Sequence, residues 1–574
     1  MTGRYLLAAL ACVFAAVTGA WADDAAVRYR LTPVLDHGKL SGIAIEVAFK
    51  GEADGETTLL LPDAWGGQRE LWRAITDIKI SGDGVSIKPD ANQSVRIIKH
   101  APNAEISVSY RVFQDVPGEP KAADDNPYRP IVQPTYFHLI GETVFALPEW
   151  DQTVSASFAL GPLPRGWRFA SDLEHSKRTG EPLTLGSLSE SILVGGDFRV
   201  LSRPGLGGNL RVALRGKWPN FTDEGITDQI ARIIAAHNAF WGDPDEPFLV
   251  TILPLKGDPN RISLGGTGRA DAFAFFATDN GDDVTINRIL AHEHIHTWVP
   301  RRIGRMPERD EPRDYWLSEG FTDFYAYRLL VRDGMWTVEN YADALNETLM
   351  AYWSSPARNA PNTRIVSDFW NDQFVGKLPY QRGNLLALRW DAQLHAASKG
   401  ARDFDDVVLA MRARMRTVDA GEMPPYAVDN FATEMRAAGL DPAKDLAQFV
   451  EKGETVSLAA DTFAPCGTIA SLDIPEFTRG FDSQKTAAAG NVVTGVDPDG
   501  PAYAAGMRDG MKIIKREAGK PGDSRVELLY RVDDHGTERL IRYKPEGKKR
   551  IAFQEFQLAA GFDRAACAKR IGGT

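Results

Sequence analysis

Residues 291–298 read AHEHIHTW and contain an HExxH pattern: His292, Glu293 and His296. On a helix, positions i and i+4 share a face, so both imidazoles can reach one ion. Glu293 sits at the edge of that face, where its carboxylate can take a proton from a water that the metal polarises. His294 points to the opposite side and reads as non-ligating. HExxH recurs by chance, so the chemistry needs further parts. A hydrolytic zinc site takes three protein ligands and leaves a fourth position open. Downstream, YWLSEGFTDFYAYRLL supplies Glu319 at a helix start. The RRIGRMPERDEPRD between them is polar and carries prolines, so it can turn the chain back. A glutamate in a first helical turn also complements the helix dipole, and the two roles are compatible.

HEHIHTW followed by WLSEGFTDFY resembles the gluzincin metallopeptidases, and among them the glycyl-aminopeptidase family with a C-terminal PDZ domain. The resemblance implies one Zn2+ held by His292, His296 and Glu319, with Glu293 as the base and a peptide or protein as substrate. It also implies an oxyanion-stabilising tyrosine. LPYQRG offers Tyr380, just ahead of Arg382 and Gly383. A tyrosine O–H aimed at developing charge is a preorganised donor. Tyr325 and Tyr327 on the Glu319 segment are its competitors. The family's Gly-Gly-x-Glu strand is matched in SLGGTGRADAFAFF by Gly265 and Gly266, which would bind substrate backbone. The acidic position, which grips the substrate's amine, is Gly268 here. Arg269 follows and would repel an ammonium. Asp271 falls an odd step from Gly268, on the other side of a strand. Exo- or endopeptidase action is left open. A carboxylate-bearing substrate bound by Arg269 is a further expectation.

These residues need elements to position them. GDDVTINRILAHEHIHTWVP predicts a helix with Asp283 as N-cap and Pro300 as stop. FTDEGITDQIARIIAAHNAFWG has helical spacing at Ile226, Ile230, Ile233, Ile234 and Phe240. Alternating apolar and polar positions over 23–205 predict an N-terminal antiparallel β domain. Strands and then long helices over 206–460 predict an α+β catalytic domain with a mostly helical second half, and the family resemblance implies that this domain is thermolysin-like. Over 470–555 short strands return. TGVDPDGPAYAAGMRDGMKII resembles a bacterial PDZ segment, with Gly480 and Phe481 in TRGFDSQ as the carboxylate-binding loop. Such a module adds a C-terminal peptide to a sheet edge, or it only packs on its neighbour. Residues 556–574 read as a tail. The expectation is a multidomain α+β chain.

At 574 residues the chain exceeds one ordinary domain, and its net charge of −11 does not favour nucleic acid. The short GKKR at 547–550 reads as a solvated turn. Arg4, an apolar run over 5–17 and Ala20-Trp21-Ala22 predict a signal peptide over 1–22. Cleavage after Ala22 would make the protein secreted or periplasmic. No other apolar run approaches ~20 residues, so no stable membrane span is expected. Beyond the signal, two cysteines stand at 466 and 567. In an oxidising compartment Cys466 and Cys567 can pair, or stay as two buried thiols. The rival from another class is a non-catalytic peptide-binding scaffold with a structural zinc and a PDZ module. The intact Glu293 argues against it, since a structural site needs no base. Hydrolysis of a non-peptide bond would share the same metal chemistry.

Overall fold

Strand Val27–Asp36 buries alternate residues, Val27, Tyr29 and Leu31 among them. That alternation makes one sheet face. The computed structural model describes residues 24–122, 126–174, 182–204, 209–243, 247–257, 262–269, 271–419 and 422–573. The expected signal peptide lies outside them, and so does the loop at 205–208. Val27–Asp36 pairs antiparallel with Lys39–Lys50 and parallel with Ser155–Leu160. The sheet is therefore mixed, where alternation alone predicts an antiparallel domain. A six-stranded and a four-stranded sheet enclose a core that includes Tyr29, Phe49, Leu59, Val108 and Phe137.

A further four-stranded sheet holds Tyr136–Ile140 and Ile192–Gly196. Its outer face, with Tyr136, Ile192 and Val194, packs on Leu249, Leu253, Ala274 and Phe276 of the next sheet. That next sheet orders its strands Arg199–Pro204, Asn209–Leu214, Phe248–Pro254, Ala272–Ala277, Leu264–Gly268. Its central pairs are parallel, and helix Asp223–Trp241 provides the crossover between Asn209–Leu214 and Phe248–Pro254. Strand Arg199–Pro204 forms a hairpin with Asn209–Leu214. It belongs to this five-stranded sheet, although it lies ahead of the division expected at 205. Local alternation marks a strand but does not say which sheet it joins.

The helices that follow pack in one large core: Asp283–Ile295, Tyr315–Arg332, Val338–Ser354 and Gln373–Ala397 lead it. The C-terminal boundaries also move. Strand Gly467–Phe477 pairs antiparallel with Glu546–Leu558. Ile469, Ile474, Phe553, Phe556 and Ile571 share the core of the helices. The expected tail over 556–574 instead contains part of that ribbon and the docked helix Arg564–Gly572. A smaller module lies between the ribbon strands. It has three antiparallel strands, Lys512–Ala518, Leu528–Asp534 and Thr537–Tyr543, around Val493, Met507, Met511 and Val532. A disulfide joins Cys466 to Cys567. Among the described residues no helix is long and apolar enough to cross a membrane.

Candidate metal centre

The His helix, Asp283–Ile295, begins where the Asp282 side chain accepts from Thr285 N at 2.8 Å. The cap is thus one residue before the expected Asp283. The helix ends at Ile295 rather than at Pro300, with His296 as its C-cap. The two imidazoles therefore sit on its last turn, where the helix dipole favours positive charge. Ile286, Leu290, Ala291 and Ile295 anchor the helix in the core.

Hydrogen bonds orient both rings. His292 Nδ1 lies 2.9 Å from Asp323 Oδ1, and His296 Nδ1 donates to the Val299 carbonyl at 2.9 Å. Each leaves Nε2 turned inward. Glu319, on the Glu helix Tyr315–Arg332, puts Oε2 3.4 Å from His292 Nε2 and 3.6 Å from His296 Nε2. Bond lengths near 2.0–2.1 Å in a tetrahedral zinc site place neighbouring ligand atoms about 3.3 Å apart. The spacing and the nitrogen and oxygen donors fit one zinc ion. This is the His, His, Glu group whose donor atoms all lie within 4.8 Å of one another.

The protein's own field prepares the site. Burial works against a charged His292, but the Asp323 and Glu319 carboxylates outweigh it and raise its pKa to about 10. Burial also opposes ionisation of Glu319, yet His296 and His292 hold it well below the usual carboxylate range. Glu293 goes the other way: burial raises its pKa although His292 and His296 pull it down. Its Oε2 accepts from Gly268 N at 2.9 Å. A tethered carboxylate of raised pKa is the form a general base takes.

Tyr380 lies on the Tyr helix, Gln373–Ala397, with its ring 5.9 Å from the His292 ring. Burial first, then Glu319 and Glu293, pushes its pKa well up, so the hydroxyl keeps its proton. The competitors are otherwise employed. Tyr325 donates to Phe404 O at 3.1 Å, and the Tyr327 ring lies under Arg288. Neither lines the cavity.

The cavity holds about 540 Å³ and is lined by Gly265, Gly266, Arg288, His292, Glu293 and Tyr380, among others. One wall is the edge strand Leu264–Gly268. Gly268 N points to Glu293, so by strand alternation Gly266 turns its N–H and C=O to that same side. The Tyr128 hydroxyl donates to Gly266 O at 3.3 Å. Any Cβ at position 268 would sit 2.9 Å from Glu293 O. A glutamate there would collide with the His helix, so the glycine belongs to this geometry.

Arg269 does not fulfil its expected role. It is buried, donates to the carbonyls of Glu190 and Ser189, and pairs with Glu142 at 3.5 Å. Nor does the expected carboxylate loop stand free. Gly480 N donates to the Thr478 hydroxyl at 3.1 Å, and Phe481 packs on the module core, 6.0 Å from the Tyr530 ring. His294 does face away, with Nδ1 2.9 Å from His237 Nδ1 and its ring against Phe248 and Trp298. Asp323 and Arg288 were not singled out from the sequence. Asp323 had a signal, because it stands one helical turn after Glu319.

Residues 285–374 match the family model described as M61 glycyl aminopeptidase. The match runs from the first turn of the His helix to just short of Tyr380. Among solved structures the chain is similar to the aminopeptidase N family protein from Idiomarina loihiensis. The identity is 16%, the TM-score 0.67, and the overlap covers 95% of this chain and 100% of that one. That likeness establishes a shared fold. A lesser similarity, TM-score 0.47 at 17% identity over 75% of this chain and 94% of that one, is to the M1 zinc metallopeptidase from Deinococcus radiodurans. No curated protein matches the chain.

Proposed function

We propose that the protein is a zinc metallopeptidase holding one metal ion with His292, His296 and Glu319. The observation that carries this is the convergence of both Nε2 atoms on Glu319 at 3.4 and 3.6 Å, with Glu293 beside them. The segment that builds it matches a peptidase family. Zinc bound there supplies a Lewis acid that polarises a carbonyl and acidifies a water. The chain does the rest. Gly266 offers its backbone to an extended substrate laid along the edge strand. Glu293 takes the proton of the attacking water and passes it to the leaving amine. The Tyr380 hydroxyl donates to the oxygen on which charge develops. Secretion or periplasmic residence is part of this proposal. It is supported by the N-terminal Arg4, the apolar run and Ala20-Trp21-Ala22, and by the bridge from Cys466 to Cys567. The C-terminal module is read as PDZ-like, although the hydrogen bond from Gly480 N argues against its loop as a carboxylate cradle.

Glu293→Gln should keep its zinc and lose roughly 10²–10⁴-fold in kcat. A mixture of peptides with free and blocked N-termini, read by mass spectrometry beside a metal assay, checks both. Retained turnover in the variant would sink the mechanism. Single residues released from free N-termini alone mean an aminopeptidase that holds the amine by another group. Internal cuts mean an endopeptidase. No cleavage by the unaltered protein shifts the reading to the binding scaffold.

A further inference from the structure

We propose that Arg288 makes the cavity beside the metal centre a subsite for a substrate carboxylate next to the scissile bond. The proposal rests on the peptidase reading and names the substrate class that reading leaves open. Arg288 stands one helical turn before His292, so its side chain shares that ligand's face of the His helix. It lines the same cavity as Glu293, Tyr380 and Gly266. Arg288 as a whole is half-buried, and its guanidinium carbon lies 4.9 Å from the centre of the Tyr327 ring. The ring orients the plane but satisfies none of its five N–H donors. Among the described residues no carboxylate lies within 4.0 Å of Arg288, and no acceptor is hydrogen-bonded to it.

Burial works against the Arg288 charge, while Tyr327, Asp323 and Glu347 act on it through space and hold its pKa up; each of these acids nevertheless has a closer partner. Asp323 is bound to His292 Nδ1 at 2.9 Å. Glu347 is exposed and faces Lys520 of the C-terminal module at 3.7 Å. Glu293 is held by Gly268 N and serves the proton. A guanidinium kept partly from water with its fork empty favours a planar, bidentate anion. Lys377, exposed at the cavity wall, adds a second positive charge. In a peptide the available anions are carboxylates. They come from an Asp or Glu side chain or from the chain's C-terminus, and both present the same two oxygens. The acid recognition expected of Arg269 is thus available from Arg288 on the other wall, where the guanidinium does face the cavity.

The test compares kcat/KM for matched peptides that differ in one residue beside the cut, Glu against Gln, each with a free and an amidated C-terminus. The expected result for the full-length zinc enzyme is a preference of roughly tenfold or more for a carboxylate. A preference that follows Glu in amidated peptides assigns the side chain. One that follows the free terminus assigns the C-terminal carboxylate. Arg288→Gln should reduce the preference to near unity, and Arg288→Lys should retain part of it. A preference of unity in the unaltered enzyme overturns the proposal, and so does a preference that survives in Arg288→Gln. If no peptide is cut, the peptidase reading fails by itself. The subsite is then judged by calorimetric binding of the same peptides to the unaltered protein. Tighter binding of the carboxylate forms, lost in Arg288→Gln, supports it; equal or absent binding overturns it.

Discussion

At the residue scale, the parts of the centre that follow helical arithmetic were legible and those that depend on the partner element were not. His292 and His296 share a face because 3.6 residues make a turn. Glu319 was reachable because it was expected near the start of the next helix, and it stands just past that helix's first turn. Asp323 obeys the same arithmetic, but a carboxylate behind an imidazole shows itself only when the two helices pack. It fixes His292 with Nε2 inward at 2.9 Å through Nδ1. Asp323→Asn should weaken zinc binding about 10–100-fold. Competition with a chelator measures this, and an unchanged zinc affinity would mean that the ring is held by packing alone. Arg269 shows the opposite limit. Its charge was legible, but its partners at Glu142, Ser189 and Glu190 come from two short helical turns distant in sequence and were not.

At the element scale, the approach of the Glu and Tyr helices sets the distance between Glu319 and Tyr380. Long helices were expected across this region, with Glu319 at a helix start. A proline usually marks a boundary, yet the Tyr helix starts at Gln373 and runs through Pro379. Tyr380 therefore sits inside a helix whose next turn carries Gly383. A Cβ on Gly383 would press on the Trp316 carbonyl and lie 2.7 Å from the Gly320 Cα. Both neighbours are backbone and cannot rotate away. Gly320 adjoins Glu319, so this crossing positions Glu319 and Tyr380 together. Gly383→Ala should force the helices apart, costing about 1–3 kcal/mol and most of the turnover. Denaturant unfolding paired with peptide kinetics checks it. A variant as stable and as active as the parent would show that the crossing has slack.

At the scale of the whole molecule, what the sequence hid was the closing of the chain on itself. Strands Gly467–Phe477 and Glu546–Leu558 read well as strands, but nothing local says that they pair across an entire module. As a result the last residues look like a tail, when they brace the helical body. Arg328, on the Glu helix, donates to Ile571 O at 3.2 Å and is paired with Asp391, Asp403 and Asp405. Arg332, a turn later, donates to Gly572 O at 2.6 Å, and Arg570 reaches Asp391 at 2.8 Å. The far end of the helix that carries Glu319 is thus fastened by the chain terminus. The disulfide from Cys466 to Cys567 closes a loop with a sequence separation of 101 residues, and both cysteines are buried. In the chain-entropy account a loop of that size restricts the unfolded ensemble by up to about 4.7 kcal/mol. Replacing both cysteines by serine avoids a stray thiol, so the loss reads as loss of the link. The double variant should unfold at lower guanidinium, with a stability deficit of about 2–5 kcal/mol. Because the link closes on the body that holds Glu319, zinc should also leave the variant at lower denaturant than the oxidised parent. Equal midpoints for parent and variant would mean that the ribbon and final helix hold without the bridge. A deficit in which zinc release stays at the parental denaturant concentration would confine the bridge's effect to the C-terminal ribbon.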